Sequence, residues 1–164
     1  MYSSQLLLGC GGGVDSSAPN YAGSWNTSVT LVSNSCARQI PTEFQYLSAL
    51  HNVNQSSSED SLGNQILDIV LEDGIDTYVG VGQIGSEGQG DSFSATGSPH
   101  ELPGFLNSFV CIEVINFDYD SISEDENGYR NAGFVTRHSS ISCRRGAEIK
   151  TCDVTYTGSA YGNR

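Results

Sequence analysis

The chain has 164 residues, enough for one domain with a single core and too few for two. It carries 19 acidic groups against seven basic ones, and the net charge of -12 repels nucleic acid and anionic lipid at long range. Hydrophobic residues make up 37% and 19 residues are glycine, which favours strands and turns over helices. We predict an acidic all-β protein without a nucleic-acid partner, with a tether over residues 1–20 and one domain over residues 21–164.

The first segment in chain order contains the motif Leu7-Leu8-Gly9-Cys10, followed by a stretch rich in glycine and serine. The motif resembles the lipobox of bacterial lipoproteins, which has a leucine three residues before the cysteine and a small residue directly before it. This resemblance implies a signal peptide and a lipid on Cys10 of the mature protein. It also implies a place in the bacterial cell envelope, either anchored to the outer membrane or periplasmic or extracellular.

Residues 1–6 depart from a complete export signal. They contain no lysine or arginine, and three leucines precede Gly9, whereas a signal has a basic start and roughly 7 to 15 apolar residues. We therefore expect residues 1–9 to be the end of a truncated signal, with an accidental match as the alternative. No other segment approaches the roughly 18 to 20 apolar residues that span a bilayer, so we expect membrane contact through the lipid anchor only.

Short alternating runs separated by turn residues predict eight strands. The first alternates apolar residues such as Trp25 with polar ones, as a half-buried strand does; the second is less regular, and a helix is the alternative there. Asp73-Gly74 predicts a type I′ hairpin turn. In the seventh strand, Ala132, Phe134 and Thr136 form one alternating set. The predicted strands cover residues 24–33, 43–54, 65–71, 75–84, 92–97, 109–119, 129–143 and 152–161.

Two stretches between strands are predicted to be a loop and an acidic hairpin. Pro99 and Pro103 bracket one of them, because neither proline can donate a hydrogen bond to a sheet. The other is acidic, covers residues 118–126 and leads into the turn pair Asn127-Gly128. Its carboxylates could hold calcium, but glycine is not where an EF-hand requires it, so we expect a solvated acidic hairpin.

Eight strands joined by short turns favour an antiparallel up-and-down barrel, with a β-sandwich as the alternative. Closing the sheet onto its first strand removes the two edges that an open meander would expose. The glycines in residues 78–82 and at position 158 suit sharply curved strands, where a side chain would be crowded.

The opening of the first strand, Tyr21-x-Gly23-x-Trp25, is similar to the Gly-x-Trp start of lipocalin-like barrels. The resemblance implies that Trp25 plugs a closed end, that Arg164 beyond the last strand stacks on it, and that a small apolar ligand binds inside the barrel. Bacterial members can be outer-membrane lipoproteins. The C-terminal helix of typical lipocalins has no counterpart in this sequence.

The five cysteines form an odd set, which lipidation of Cys10 makes even. We predict one disulfide between Cys143 and Cys152 across the last hairpin, and another between Cys36 and Cys111. A zinc site is the competing interpretation, but the chain lacks the C-x2-C spacing such sites use. Disulfides place the protein outside the cytoplasm.

Charged side chains offer one candidate surface and no catalytic set. Arg144, Arg145 and Lys150 form a basic loop that could bind phosphate, lipid headgroups or an acidic polymer, although such charges also simply solvate a turn. The histidines lack partners at metal-ligand spacing, and no nucleophile, phosphate-loop or zinc-protease motif is present. We therefore predict no enzyme, no metal and no cofactor.

The leading functional hypothesis is a lipid-anchored envelope protein whose barrel binds a small apolar ligand or an envelope partner. Five aromatic residues are expected to line or plug the interior. The alternative is an adhesion or assembly subunit with a solid core that acts through its surface. An interior of several hundred Å³ would favour ligand binding, and a packed one the alternative. The expected interior residues are Trp25, Phe93, Phe117, Phe134 and Tyr156.

Overall fold

The structure is a computed structural model, which describes residues 19–85 and 90–162. This part of the chain is mostly strand, with one 3-10 turn over Thr42–Phe44. None of its helical residues form a segment long and apolar enough to cross a bilayer. The strands are β1 (Gly23–Asn34), β2 (Tyr46–Glu59), β3 (Gln65–Glu72), β4 (Thr77–Gln83), β5 (Asp91–Gly97), β6 (His100–Glu101), β7 (Val110–Glu124), β8 (Arg130–Arg145) and β9 (Glu148–Gly162).

Two pairings close the sheet into a ring. Strands β1 to β5 pair in sequence, β5 continues to β7 instead of β6, and β7 to β9 pair in sequence. Strand β9 then returns to β1, where Tyr156 stands opposite Leu31. The eight long strands thus form one antiparallel, ring-like sheet, and the two-residue strand β6 attaches beside β7. The predicted all-β up-and-down fold is confirmed.

Two details differ from the predicted strands. The acidic residues 118–124 extend β7 beyond its predicted end at residue 119, because Tyr119 and Ile122 point into the core, and they form an acidic hairpin with β8 as expected. The loop predicted between Pro99 and Pro103 contains β6, whose two residues pair with β7. At the second predicted strand, β2 is extended and the alternative of a helix is wrong.

Phe134 does not face the interior. The register shifts between Ala132 and Val135, both of which are fully buried, so two residues separate neighbouring inward positions instead of one. Such a β-bulge reverses the alternation beyond it. Phe134 is 53% exposed, and the prediction that it lines the interior is wrong.

The four cysteines of the domain are all bonded, but the predicted pairing is wrong. The disulfides join Cys36 to Cys152 and Cys111 to Cys143. Cys111 and Cys143 stand directly opposite each other on β7 and β8. On the last hairpin, by contrast, Cys143 stands opposite Lys150, so Cys152 lies two positions away and reaches Cys36 at the end of β1. Two disulfides indicate an oxidising compartment outside the cytoplasm.

Two glycines allow close approach between neighbouring strands. A Cβ at Gly80 would lie 1.9 Å from the carbonyl oxygen of Ser94, and one at Gly158 would lie 1.9 Å from that of Ser28. No side chain fits at such distances, so β4 and β9 can bend against their neighbours here. This agrees with the curvature that the glycines predict.

We predict that peptide mapping without reduction recovers Cys36 linked to Cys152 and Cys111 linked to Cys143. The first bond spans 116 residues and the second 32. In the chain-entropy model, removing the first pair therefore costs roughly 1 kcal/mol more than removing the second. Urea unfolding of the Cys36→Ala/Cys152→Ala and Cys111→Ala/Cys143→Ala proteins measures this difference. A peptide that links Cys143 to Cys152 would contradict the pairing.

Candidate functional site

One end of the ring is packed with aromatic side chains. We call it the closed end; there β1 and β8 begin and β9 ends. Phe93 stacks on Tyr119 with ring centroids 4.3 Å apart, and Trp25 meets both rings edge-on at 5.8 and 5.7 Å. Tyr21 packs against Phe93 at 5.2 Å. All four side chains are almost completely buried, so in the described part of the chain they fill the interior at this end.

A hydrogen bond and a cation–π contact hold the Trp25 side chain in place. Its indole N–H donates to the Tyr21 carbonyl oxygen at 2.9 Å, and the Arg130 guanidinium lies 5.1 Å from its ring centroid. The resemblance to lipocalin-like barrels assigned that stacking role to Arg164, which lies outside the described residues. Arg130 was not foreseen, although it follows the turn Asn127-Gly128, which brings β8 back to this end.

A polar layer lies beside the aromatic plug. His51 is buried, packs 4.6 Å from the Phe117 ring and shares a hydrogen bond with the Tyr119 hydroxyl. Burial lowers the pKa of His51 to about 4, so its ring is neutral at pH 7. Tyr78 packs on the other side of Phe117 and donates to an Asp73 carboxylate oxygen at 2.8 Å. These contacts satisfy the polar groups within the core.

The opposite end of the ring holds a cavity of about 530 Å³ that opens to solvent beside the exposed Phe44. We call this the open end; there β1 ends, β7 begins and the β8–β9 turn lies. Three segments build its walls: residues 34–44 after β1, residues 102–105 before β7, and the inward faces of β7, β8 and β9. Most of the lining is apolar. The apolar side chains are Ile40, Pro41, Phe44, Leu47, Leu102, Phe105, Ile141, Val154 and Tyr156.

A charged group lies inside this cavity. The side chain of Arg137 is 19% exposed and that of Glu113 is 12% exposed, with 3.8 Å between Nη2 and Oε1. Arg137 Nη1 donates to the Ser139 hydroxyl at 2.7 Å. The other Glu113 oxygen lies 2.9 Å from His100 Nε2. A second cavity of about 200 Å³, beside Phe117, shares Arg137 and Leu47 with the first.

The five aromatic residues expected to line or plug the interior lie in different parts of the structure. Tyr156 lines the main cavity and Phe117 the smaller one. Trp25 and Phe93 belong to the closed-end plug, and Phe134 lies outside the ring. Sequence reasoning missed Arg137 and Glu113. One signal was present, because Glu113 interrupts the most apolar strand at an inward position.

The basic loop makes contacts within the protein. Arg145 and Lys150 share Glu148 at 2.6 and 3.3 Å, and both lie within about 5 Å of the Phe109 ring centroid. Arg144 Nε donates to the Gly146 carbonyl oxygen at 3.0 Å. These contacts anchor the loop to the open end. The lipidation candidate Cys10 lies outside the described residues.

Within residues 19–85 and 90–162, no group of three or more His, Cys, Asp or Glu side chains could hold a metal ion. No protein-family model matches the sequence, and no curated protein or solved structure matches it significantly. The lipoprotein and lipocalin-like resemblances therefore stand on the residues quoted for them.

Lowering the pH should destabilise the protein through His51. The folded pKa is about 4 and the unfolded value about 6.5, so the unfolded chain takes up the proton first. The neutral ring contributes about 3 kcal/mol to the free energy of unfolding above pH 6.5. This contribution is lost as the pH falls to about 4. Urea unfolding of wild type and His51→Gln across this pH range measures the contribution as the difference between their free energies of unfolding. Parallel pH profiles for the two proteins would argue against this role.

Proposed function

We propose that this protein binds a small, mainly apolar molecule in the open-end cavity and acts without catalysis. The supporting observation is the cavity itself, because about 530 Å³ lies within the roughly 300–1,000 Å³ of typical ligand sites. Its wall combines many apolar side chains with a few converging polar groups, as such sites do. A protein acting only through its surface would need no cavity of this size.

The way the interior is divided supports this use. At the closed end, aromatic rings fill the space between strands, whereas at the open end Leu47, Ile141 and Tyr156 line the cavity. Apolar walls of this kind can cover the apolar surface of a ligand, which is favourable by about 25 cal/mol per Å² removed from water.

We further propose that a lipid on Cys10 anchors the protein in the bacterial cell envelope. Four of the five cysteines form disulfides, which fits an oxidising compartment and leaves Cys10 available for acylation. The motif Leu7-Leu8-Gly9-Cys10 supports the same conclusion. A Gly-rich tether would let the domain stand away from the membrane.

Ligand binding is tested by filling the cavity. Val154 lines it, and Thr155 occupies the opposite face of the same strand, so Val154→Phe and Thr155→Phe are a matched pair. We expect the neutral fluorescent probe N-phenyl-1-naphthylamine to bind wild type saturably. Val154→Phe should weaken that binding by at least about tenfold, or about 1.4 kcal/mol, and Thr155→Phe should leave it unchanged. The absence of saturable binding to folded wild type would favour a surface-acting protein.

The anchor is tested in a bacterial host that expresses the protein behind a complete export signal. Mass spectrometry should find a diacylglyceryl group on Cys10, and the protein should fractionate with membranes. Cys10→Ser should release it, because the lipid is the proposed attachment. An unmodified Cys10 in exported wild-type protein would refute the anchor and leave the ligand proposal standing.

A further inference from the structure

Arg137 places a charged guanidinium inside the ring, although the pairing of the strands does not depend on a charge there. Its neighbours across the ladder are Phe117 on β7 and Tyr156 on β9, both buried. Placing a charge among such side chains is costly unless it is paired and hydrogen-bonded. The partners of Arg137 within the protein therefore show which of its N–H donors remain for a ligand.

Those groups leave most of its donors uncommitted. An arginine has five N–H donors, and among the described residues Arg137 makes one hydrogen bond, to Ser139. Glu113 approaches to 3.8 Å, beyond hydrogen-bond distance, and directs its second oxygen to His100. The Tyr156 ring centroid lies 5.4 Å from the Arg137 guanidinium carbon. This is a cation–π contact with the ring face, which occupies none of the N–H donors in a hydrogen bond.

The charge of the cavity differs from that of the whole protein. The chain has a net charge of -12, but the cavity lining carries two arginines, Arg38 and Arg137, against the single carboxylate of Glu113. A positive group within low-dielectric walls attracts anions strongly. The planar guanidinium suits a carboxylate in particular, because two parallel N–H donors match its two oxygens.

We infer that the ligand is an amphiphile with an acidic head group, held with its carboxylate on Arg137 and its apolar body along the walls. This inference rests on the proposed ligand-binding function and specifies its ligand class. A neutral ligand of the same shape would dehydrate the guanidinium without offering it a negative charge, and an alcohol gives it one acceptor oxygen where a carboxylate gives two. The site therefore discriminates against neutral analogues, as polar groups in binding sites do.

The test compares two ligands that differ only in the head group. Dodecanoate and dodecanol, both below their aggregation limits and at a pH that ionises the acid, compete with N-phenyl-1-naphthylamine for the protein. We expect wild type to prefer dodecanoate by about tenfold to hundredfold, the range for hydrogen bonds to charged groups. Arg137→Gln should abolish the preference while dodecanol still binds.

Arg145→Gln is the matched control, because it removes one positive charge from the open end outside the cavity lining, at a side chain that is 54% exposed. It should keep the preference. If Arg137→Gln fails to fold, Glu113→Gln decides the matter: removing the competing carboxylate should strengthen the preference for dodecanoate.

Equal affinity of wild type for the acid and the alcohol would overturn the inference while the proposed function stands. A preference that survives in folded Arg137→Gln, or that Glu113→Gln leaves unchanged, would do the same. If neither the probe nor either ligand binds wild type, the proposed function fails and the inference fails with it.

Discussion

The pairing of β5 with β7 is the constraint on which the rest of the structure depends. It passes over the short strand β6 and, together with the return of β9 to β1, turns a meander into a ring. Closure places the inward residues of distant strands around one interior and gives each of the eight long strands described a partner on both sides. The aromatic plug depends on it directly, because Phe93 of β5 stacks on Tyr119 of β7.

The two ends of the ring are stabilised by different means. At the closed end, Trp25, Phe93 and Tyr119 pack ring against ring and exclude water. The open end holds the cavity, and both disulfides lie there: one joins Cys36, just past β1, to β9, and the other joins the start of β7 to β8. Covalent bonds thus reinforce the packed walls of the cavity.

Local pattern predicted much of the fold, because alternation and turn residues act over a few positions. The strand around Trp25 and the hairpin at Asp73-Gly74 are of this kind. The predicted type I′ geometry of that turn is wrong, because Gly74 has a positive φ and Asp73 does not. The predicted orientation of Phe134 was wrong because a bulge adds one residue to the alternation of β8. Nothing in the apolar pattern marks the position of that bulge. The cysteine pairing failed because it depends on the register between strands, which a hairpin argument for Cys143 and Cys152 ignored.

The candidate site was harder to predict than the sheet. Arg137 and Glu113 gain their significance from the residues opposite them and from the segments that cover the open end, which are distant in sequence. An isolated arginine on a strand ordinarily indicates a solvated face. Its enclosure is a consequence of ring closure, so it becomes visible only once the strand order is known.

Cross-strand NMR contacts between β5 and β7 test the ring most directly. The account predicts nuclear Overhauser effects between the backbones of Ala95 and Phe117 and between the rings of Phe93 and Tyr119, with slow amide exchange along β5. If those contacts were missing and the β5 amides exchanged as fast as those of an exposed edge strand, the sheet would be open. The closed ring would then be refuted, and with it the interior in which the aromatic plug is packed.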